Sequence, residues 1–444
     1  MAYGKRVTMA MREIHLCVPV LARVEGEGAL DLQVRNGRIE TLRLRIFEPP
    51  RLFEKFLEGR EYGEVPDLVA RICGICPVAY QMSAVQAMEG LFGLDPDPWV
   101  HAMRRVFYCG EWIQSHALHI HWLAAPDFLG YDSAVDMAAT HAEVLRRGLT
   151  LQSLGNAIVN LLGGRSVHPV GVRVGGFYAA PQTAEVAVLW ERLVAAVPDA
   201  EALVAWTAAL PLPPGDQDFV SVALRHPYDY PMNGGRIIAS DGLDIPISEY
   251  ESHFAEYQVA HSTALFSALH DRPYLVGPLA RLNLNEDRLY PPVRAALART
   301  GIPFPSRNTF HSIVARAVEI HQSLLEAIDL LTDYREPPRP AASGSPRAGI
   351  GFGATEAPRG LLWHRYELDS AGVVRHVRLV PPTSQNQARI EEDLWNDLEA
   401  LGVDQDEDVL RKRAEMIIRS YDPCISCATH FLRVRVGQSD EMSL

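Results

Sequence analysis

Apolar and polar positions alternate through the first fifty residues, in REIHLCVPV, ALDLQV and RIETLRLRIF, and Asn36-Gly37 separates the last two. Alternation with a period of two predicts half-buried strands, and Asn-Gly between such runs predicts a tight hairpin. RYELD and VVRHVRLV, on either side of Ser370-Ala371-Gly372, predict a second strand pair near the other end. Between them the apolar period lengthens to that of an amphipathic helix, over 99–125, 134–162, 182–209, 250–271 and 307–333. The pattern therefore predicts a mainly α fold with small β elements, its middle a helical bundle. Residues 334–353, rich in proline and glycine, read as a long loop. Pro77 suits the first turn of a helix over VAYQMSAVQAMEGLF and places Cys76 at its N-cap, where the helix dipole favours a thiolate.

Composition narrows the function classes. Of the 444 residues 48% are hydrophobic, enough for a large buried core. The net charge of -13 provides no basic field for general nucleic-acid binding. No apolar run reaches the roughly 18 residues of a membrane span. The N-terminal MAYGKRVTMAMREIHLC lacks the continuous apolar segment of a secretory signal. A reducing cytoplasm is the expected location, and there paired thiols suit a metal better than a disulfide.

Four of the six cysteines form two CxxC motifs, Cys73-Gly-Ile-Cys76 and Cys424-Ile-Ser-Cys427. Thiols at this spacing can both reach one ion across a tight turn. Zinc knuckles keep their pairs in one local unit, whereas these pairs lie near opposite ends, so a local knuckle is disfavoured. Spacing alone leaves two readings open: one shared metal site, or two unrelated or redox pairs.

The flanks RICGICPVAY and DPCISCATH resemble the two metal-binding signatures of nickel-iron hydrogenase large subunits. The resemblance continues through RVEGEG at 23–28, PRLFEKFLEGR at 50–60, QSHALHIHWLAAPDFLG at 114–130, GGRSVHPVGVRVGGF at 163–177, EAPRGLLWH at 356–364 and VPPTSQNQA at 380–388. It implies one catalytic domain over 1–430. Its parts would be a β-hairpin region at 13–47, a helical body at 51–333, the loop 334–353 and a C-terminal β/helix part at 354–430. An extension at 431–444 would follow. Cys73, Cys76, Cys424 and Cys427 would bind nickel, with Cys76 and Cys427 also bridging to an iron that carries carbon monoxide and cyanide. Soft thiolates suit both metals.

The same resemblance gives further residues their expected roles. Arg359 and Thr383 match the groups that hydrogen-bond the cyanides, and Arg359 the guanidinium that overhangs the open site. Cleaving dihydrogen releases a proton; Cys424 matches the thiolate that accepts it and Glu25 the carboxylate that passes it on. Asp127 and Asp422 match the acids that hold and tune the arginine; read without the motif, Asp422 instead merely caps a turn before Pro423. Glu54, the backbone carbonyl of Leu379 and His430 match the ligands of a second, hard metal, usually magnesium. Without the motif, Glu54 reads as a solvated acid on a helix over 51–59. His116, His119 and His121 read as core or hydrogen-bonding histidines, and Cys17 and Cys109 as buried, inert thiols. Tyr80 and Glu27 stand where the family often has histidine.

No cysteines remain for an iron-sulfur cluster in this chain, and no glycine-rich dinucleotide fingerprint is present. Electrons would leave through an iron-sulfur small subunit. The wording RICGICPVAYQMSA is most similar to the cytoplasmic, bidirectional branch that couples to NADP or NAD through flavin-bearing diaphorase subunits. Three rivals share features with this reading: a hydrogen-sensing regulatory subunit, the quinone-site core subunit of respiratory complex I, and a structural zinc protein. In the family, nickel chaperones and a maturation endopeptidase act on a precursor, and the protease cuts after the histidine matched by His430. Active protein is accordingly expected to lack Phe431–Leu444. Its intact mass checks this, and fully active protein that retains the whole tail would refute it.

Overall fold

The computed structural model describes residues 14–429. Strands β1 (Ile14–Val18), β2 (Gly28–Arg35) and β3 (Arg38–Ile46) form an antiparallel meander. Ile14, Leu16 and Val18 face inward while the residues between them face out. Asn36 and Gly37 both take positive φ, at 56° and 71°, as the predicted hairpin requires. Cys17 is one of the outward positions of β1 and is exposed, which corrects the expectation of a buried thiol; Cys109 is buried as expected.

After the short helix α1 (Phe53–Leu57) the chain becomes helical: α2 (Pro77–Phe92), α3 (Pro98–Leu118), α4 (Ala142–Gly163) and α5 (Thr183–Ala208). Pro77 opens α2 with Cys76 at the N-cap, and Gly93 closes it in the left-handed conformation. Asp97 caps α3 by accepting from Val100 N. The periodic stretch 99–125 ends in a π-helical turn, His119–Ala124, and 134–162 is broken between Ala134–Met137 and α4. Helix α6 (Pro278–Asn285) and the long α7 (Ser312–Thr332) follow, α7 packing between α3 and α5.

The stretch 250–271 is not the helix its spacing predicts. One turn at Tyr250–His253 leads into an antiparallel pair, Phe254–Tyr257 with Phe266–Leu269. Tyr250 stacks on Phe254 at 4.4 Å and on Trp363 at 4.8 Å, and Phe254 meets the Tyr274 ring at 5.2 Å. Aromatic packing against a neighbouring sheet decides the conformation here, overriding a spacing that fits either state.

The C-terminal part holds a second antiparallel sheet, β4 (Gly349–Ala357), β5 (Gly360–Leu368) and β6 (Val374–Val380), then α8 (Pro382–Leu401), α9 (Glu407–Tyr421) and the short α10 (Ile425–Ala428). β4 begins at Gly349, so the last residues of the predicted loop are strand. Helix α2 lies directly on β4. A Cβ at Gly353 would stand 1.9 Å from Ser83 O, so the two backbones approach as only glycine allows. This contact joins the element that presents Cys76 to the strand that leads to Arg359. Replacing Gly353 by alanine is therefore expected to destabilise the protein by about 1–3 kcal/mol, through overpacking that a backbone carbonyl cannot relieve. Thermal or urea denaturation measures it, and an unchanged midpoint would contradict the close approach.

Candidate metal centre

Both CxxC motifs sit at helix starts. Cys76 is the N-cap of α2, and Cys424 is the N-cap of α10 just after α9 ends. Glu25 holds the second motif: Ile425 N donates to Glu25 O at 3.0 Å, and Glu25 pairs with Cys424 as an isolated parallel bridge. Arg51, which the sequence did not single out, ties the two turns together by donating to Ile72 O at 2.7 Å and to Ser426 O. The result is four buried sulfurs within 4.8 Å of one another. Cys73 and Cys424 are 3.3 Å apart, Cys76 and Cys427 3.6 Å, and Cys424 and Cys427 2.8 Å. Four thiolates each about 2.3 Å from one ion stand about 3.8 Å apart, so the cluster has the dimensions of a soft-metal site.

Electrostatics point the same way. Hydrogen bonds from Cys424, Cys427 and Cys76 hold the Cys73 thiol well below its ordinary pKa, while burial pushes Cys424 and Cys427 up. For Cys76 the contact with Cys424 works downward, but Cys427, Cys73 and burial together push it well above the ordinary value. The four thiols thus titrate together, burial and mutual contact opposing the ionisation of all of them at once. Full ionisation of the cluster calls for a cation among the sulfurs.

The predicted second components fall around this cluster unevenly. Glu25 Oε2 lies 3.1 Å from Cys424 Sγ and accepts from Ser426 N at 3.1 Å. Arg359, only 3% exposed, donates from Nε to Asp422 O at 2.6 Å and from Nη2 to Asp422 Oδ1 at 3.1 Å. Asp422 caps α9 in the left-handed conformation, φ 54°, so it is both turn cap and arginine partner. Nη1 of Arg359 is buried and has no partner among the described residues. Thr383 Oγ1 accepts from Cys424 N at 3.0 Å, which leaves its own proton to donate. A buried, unpartnered guanidinium nitrogen beside four thiols fits a bound group that carries acceptors.

Asp127 is a correction. Its carboxylate binds Arg23 and, at 2.6 and 2.9 Å, Arg419, while Arg359 is held by Asp422. The π-turn delivers Asp127 to α9 and to the loop after β1, where two other guanidinia compete for it. Glu54 Oε1 accepts from Leu379 N at 2.7 Å, so the two residues meet through the amide N–H and not through the carbonyl expected to bind a hard metal; His430 lies outside the described residues. His116, His119 and His121 bind Glu319 Oε2, Arg419 O and Ala117 O at 2.7–2.8 Å, and burial lowers them to about 4, 3 and 4. They are neutral structural histidines, as the sequence predicts. Glu27 is exposed and Tyr80 is fully buried against the His364 ring at 5.5 Å.

Comparison with known proteins matches the family model described as nickel-dependent hydrogenase to residues 51–152 and 268–430. The alpha subunit of sulfhydrogenase 2 of Pyrococcus furiosus is 33% identical over 93% of this chain and 98% of its own length. The alpha subunit of sulfhydrogenase 1 of the same organism is 32% identical over 96% of this chain and 100% of its own. Among solved structures, an NAD+-reducing NiFe-hydrogenase in the H2-reduced state superposes with a TM-score of 0.85, at 28% identity, over 94% of this chain and 99% of that one.

Replacing Asp422 by asparagine leaves the Arg359 charge buried without its carboxylate. The expected loss of stability is about 3 kcal/mol, read from denaturation of the purified protein. A loss below about 1 kcal/mol would mean that solvent or another group compensates the charge.

Proposed function

The chain belongs to the nickel-dependent hydrogenase family, as a catalytic large subunit, and from that premise we propose that it interconverts dihydrogen with protons and electrons and delivers those electrons, through an iron-sulfur small subunit and flavin-bearing partners, to NADP or NAD. The carrying observation is the contact of Cys424 Sγ with Glu25 Oε2 at 3.1 Å, at the edge of a buried four-sulfur cluster.

When bound, the nickel-iron centre supplies the redox and Lewis-acid chemistry that activates dihydrogen. The residues supply the rest. Cys73, Cys76, Cys424 and Cys427 would hold nickel, with Cys76 and Cys427 shared with iron. Arg359, fixed by Asp422 but free at Nη1, and Thr383, free to donate from Oγ1, would bind the cyanides on iron and exclude water from it. Arg359 also keeps a positive charge beside the cysteines that would hold the centre. Burial works against that charge, but Asp422 and the cysteines outweigh it. Cys424 would take the proton at Sγ and pass it to Glu25 Oε2, which is only partly buried and so can hand it toward solvent. Glu54 and the Leu379 carbonyl, with His430, would hold magnesium.

Electron exit needs a face close to the cluster. Val167 and His168 lie over Gly74, between the first two cysteines, and Val167 is 53% exposed. That apolar cover supports a partner seated above the first CxxC. The close structural likeness to an NAD+-reducing hydrogenase supports the NAD(P)-linked branch. No helix among the described residues is long and apolar enough to cross a membrane, and we place the enzyme in the cytoplasm with soluble partners.

Infrared spectra of the purified complex should contain bands of metal-bound carbon monoxide and cyanide, and the complex should reduce a dye under dihydrogen. Cys424→Ala should abolish both. Glu25→Gln should keep the bands but slow turnover by about a hundredfold or more. Zinc alone in metal analysis would overturn the reading, and wild-type turnover in Glu25→Gln would remove Glu25 from the proton route.

A further inference from the structure

Arg359 stands at the tip of a two-residue hairpin loop, Pro358-Arg359, between β4 and β5, whose last pair is Ala357 with Gly360. Strand pairing fixes the ends of this loop, and the carbonyls that precede Arg359 need partners of their own. What lies beneath is a second guanidinium. Arg281, on α6, is fully buried, and its five N–H donors all have acceptors. Nε donates to Glu319 Oε1 and Nη2 to Glu319 Oε2, both at 2.7 Å. Nη1 donates to Glu356 Oε2 at 3.0 Å. The two remaining donors reach Ala357 O at 2.7 Å and Pro358 O at 3.0 Å. The Arg281 guanidinium also lies over the Trp112 ring, 4.4 Å from its centroid, and Trp112 Nε1 donates to Glu356 O at 3.0 Å.

Three consecutive carbonyls, of residues 356, 357 and 358, are therefore held by rigid buried side chains immediately before Arg359. The anchor beneath them is itself fixed. Glu319 on α7 also accepts from Tyr230 Oη at 2.9 Å and pairs with His116 Nε2 at 2.8 Å. A buried ion pair of this kind is seldom more stabilising than an apolar replacement of equal volume, so conformational definition is the better account of its presence.

We propose that Arg281 is a positioning residue: it fixes the backbone of the Pro358-Arg359 loop, so that the Arg359 guanidinium meets its bound partner in one geometry. The inference rests on the hydrogenase reading. Lysine keeps the charge of Arg281 but has three donors in place of a planar fork of five, so it cannot serve both carboxylates and both carbonyls. In Arg281→Lys, nickel and iron contents should match wild type, the cyanide stretching bands should shift or broaden, and kcat should fall by about tenfold to a hundredfold with KM for dihydrogen changed far less. Glu319→Gln loosens the anchor without removing the guanidinium and should move the same bands in the same direction by less. It decides the matter if Arg281→Lys fails to load metal. Loaded Arg281→Lys or Glu319→Gln protein with wild-type bands and wild-type kcat would overturn the proposal. Wild-type protein without cyanide bands would instead refute the hydrogenase reading itself.

Discussion

Four sulfurs confined within 4.8 Å, away from water, set the terms for the rest of the molecule. Bare thiolates at that spacing repel one another with no solvent to screen them, and the fold accepts this because a cation belongs there. Every neighbouring element answers to the cluster. Helix α2 and helix α10 each start on one of its cysteines, Glu25 pairs with the second CxxC, and Arg51 binds both turns.

Around the cluster the chain buries several guanidinia; Arg316 donates to the Ser312 and Ser420 carbonyls, and three others have carboxylate partners. Arg359 has Asp422, Arg281 has Glu319 and Glu356, and Arg419 has Asp127 and Glu415. Such pairs recover little net stability after desolvation, but they leave few alternative arrangements. Glu356, pushed up to about 7 by its burial in spite of Arg281, shows the cost of placing an acid in the dry interior. The arrangement trades stability for a fixed geometry around groups that must meet a small ligand.

Much of this is legible in the chain because the decisive features are local. Asn36-Gly37, Pro77 after Cys76, and each CxxC turn are determined by a few adjacent residues, and the structure places them as their spacing predicts. The departures arise where distant segments decide. Asp127 matches an acid expected at Arg359, but Arg23 and Arg419 compete for the same carboxylate, and nothing in the order of residues ranks three arginines. The aromatics of 250–271 satisfy a helical spacing, yet the rings of Trp363 and Tyr274 convert the segment to strands. The exposure of Cys17 is different, because it is implicit in the alternation itself: Ile14, Leu16 and Val18 occupy the inward positions of β1 and leave the cysteine outside. Arg281 and Glu319 look like single charges in apolar helices; their meaning emerges only where α6, α7 and the β4–β5 loop converge.

The pairing of Ile425 N with Glu25 O joins two points almost the full length of the chain apart. Contacts of such sequence separation form late, because the loop they close must first be ordered. During synthesis, therefore, a nascent chain can complete its helical body and still present Cys73 and Cys76 with half a coordination shell. A polypeptide interrupted before Cys427 leaves that shell open however well its core has packed. The last turn described in the structure thus supplies the second half of the shell whose first half was laid down near the start of the chain.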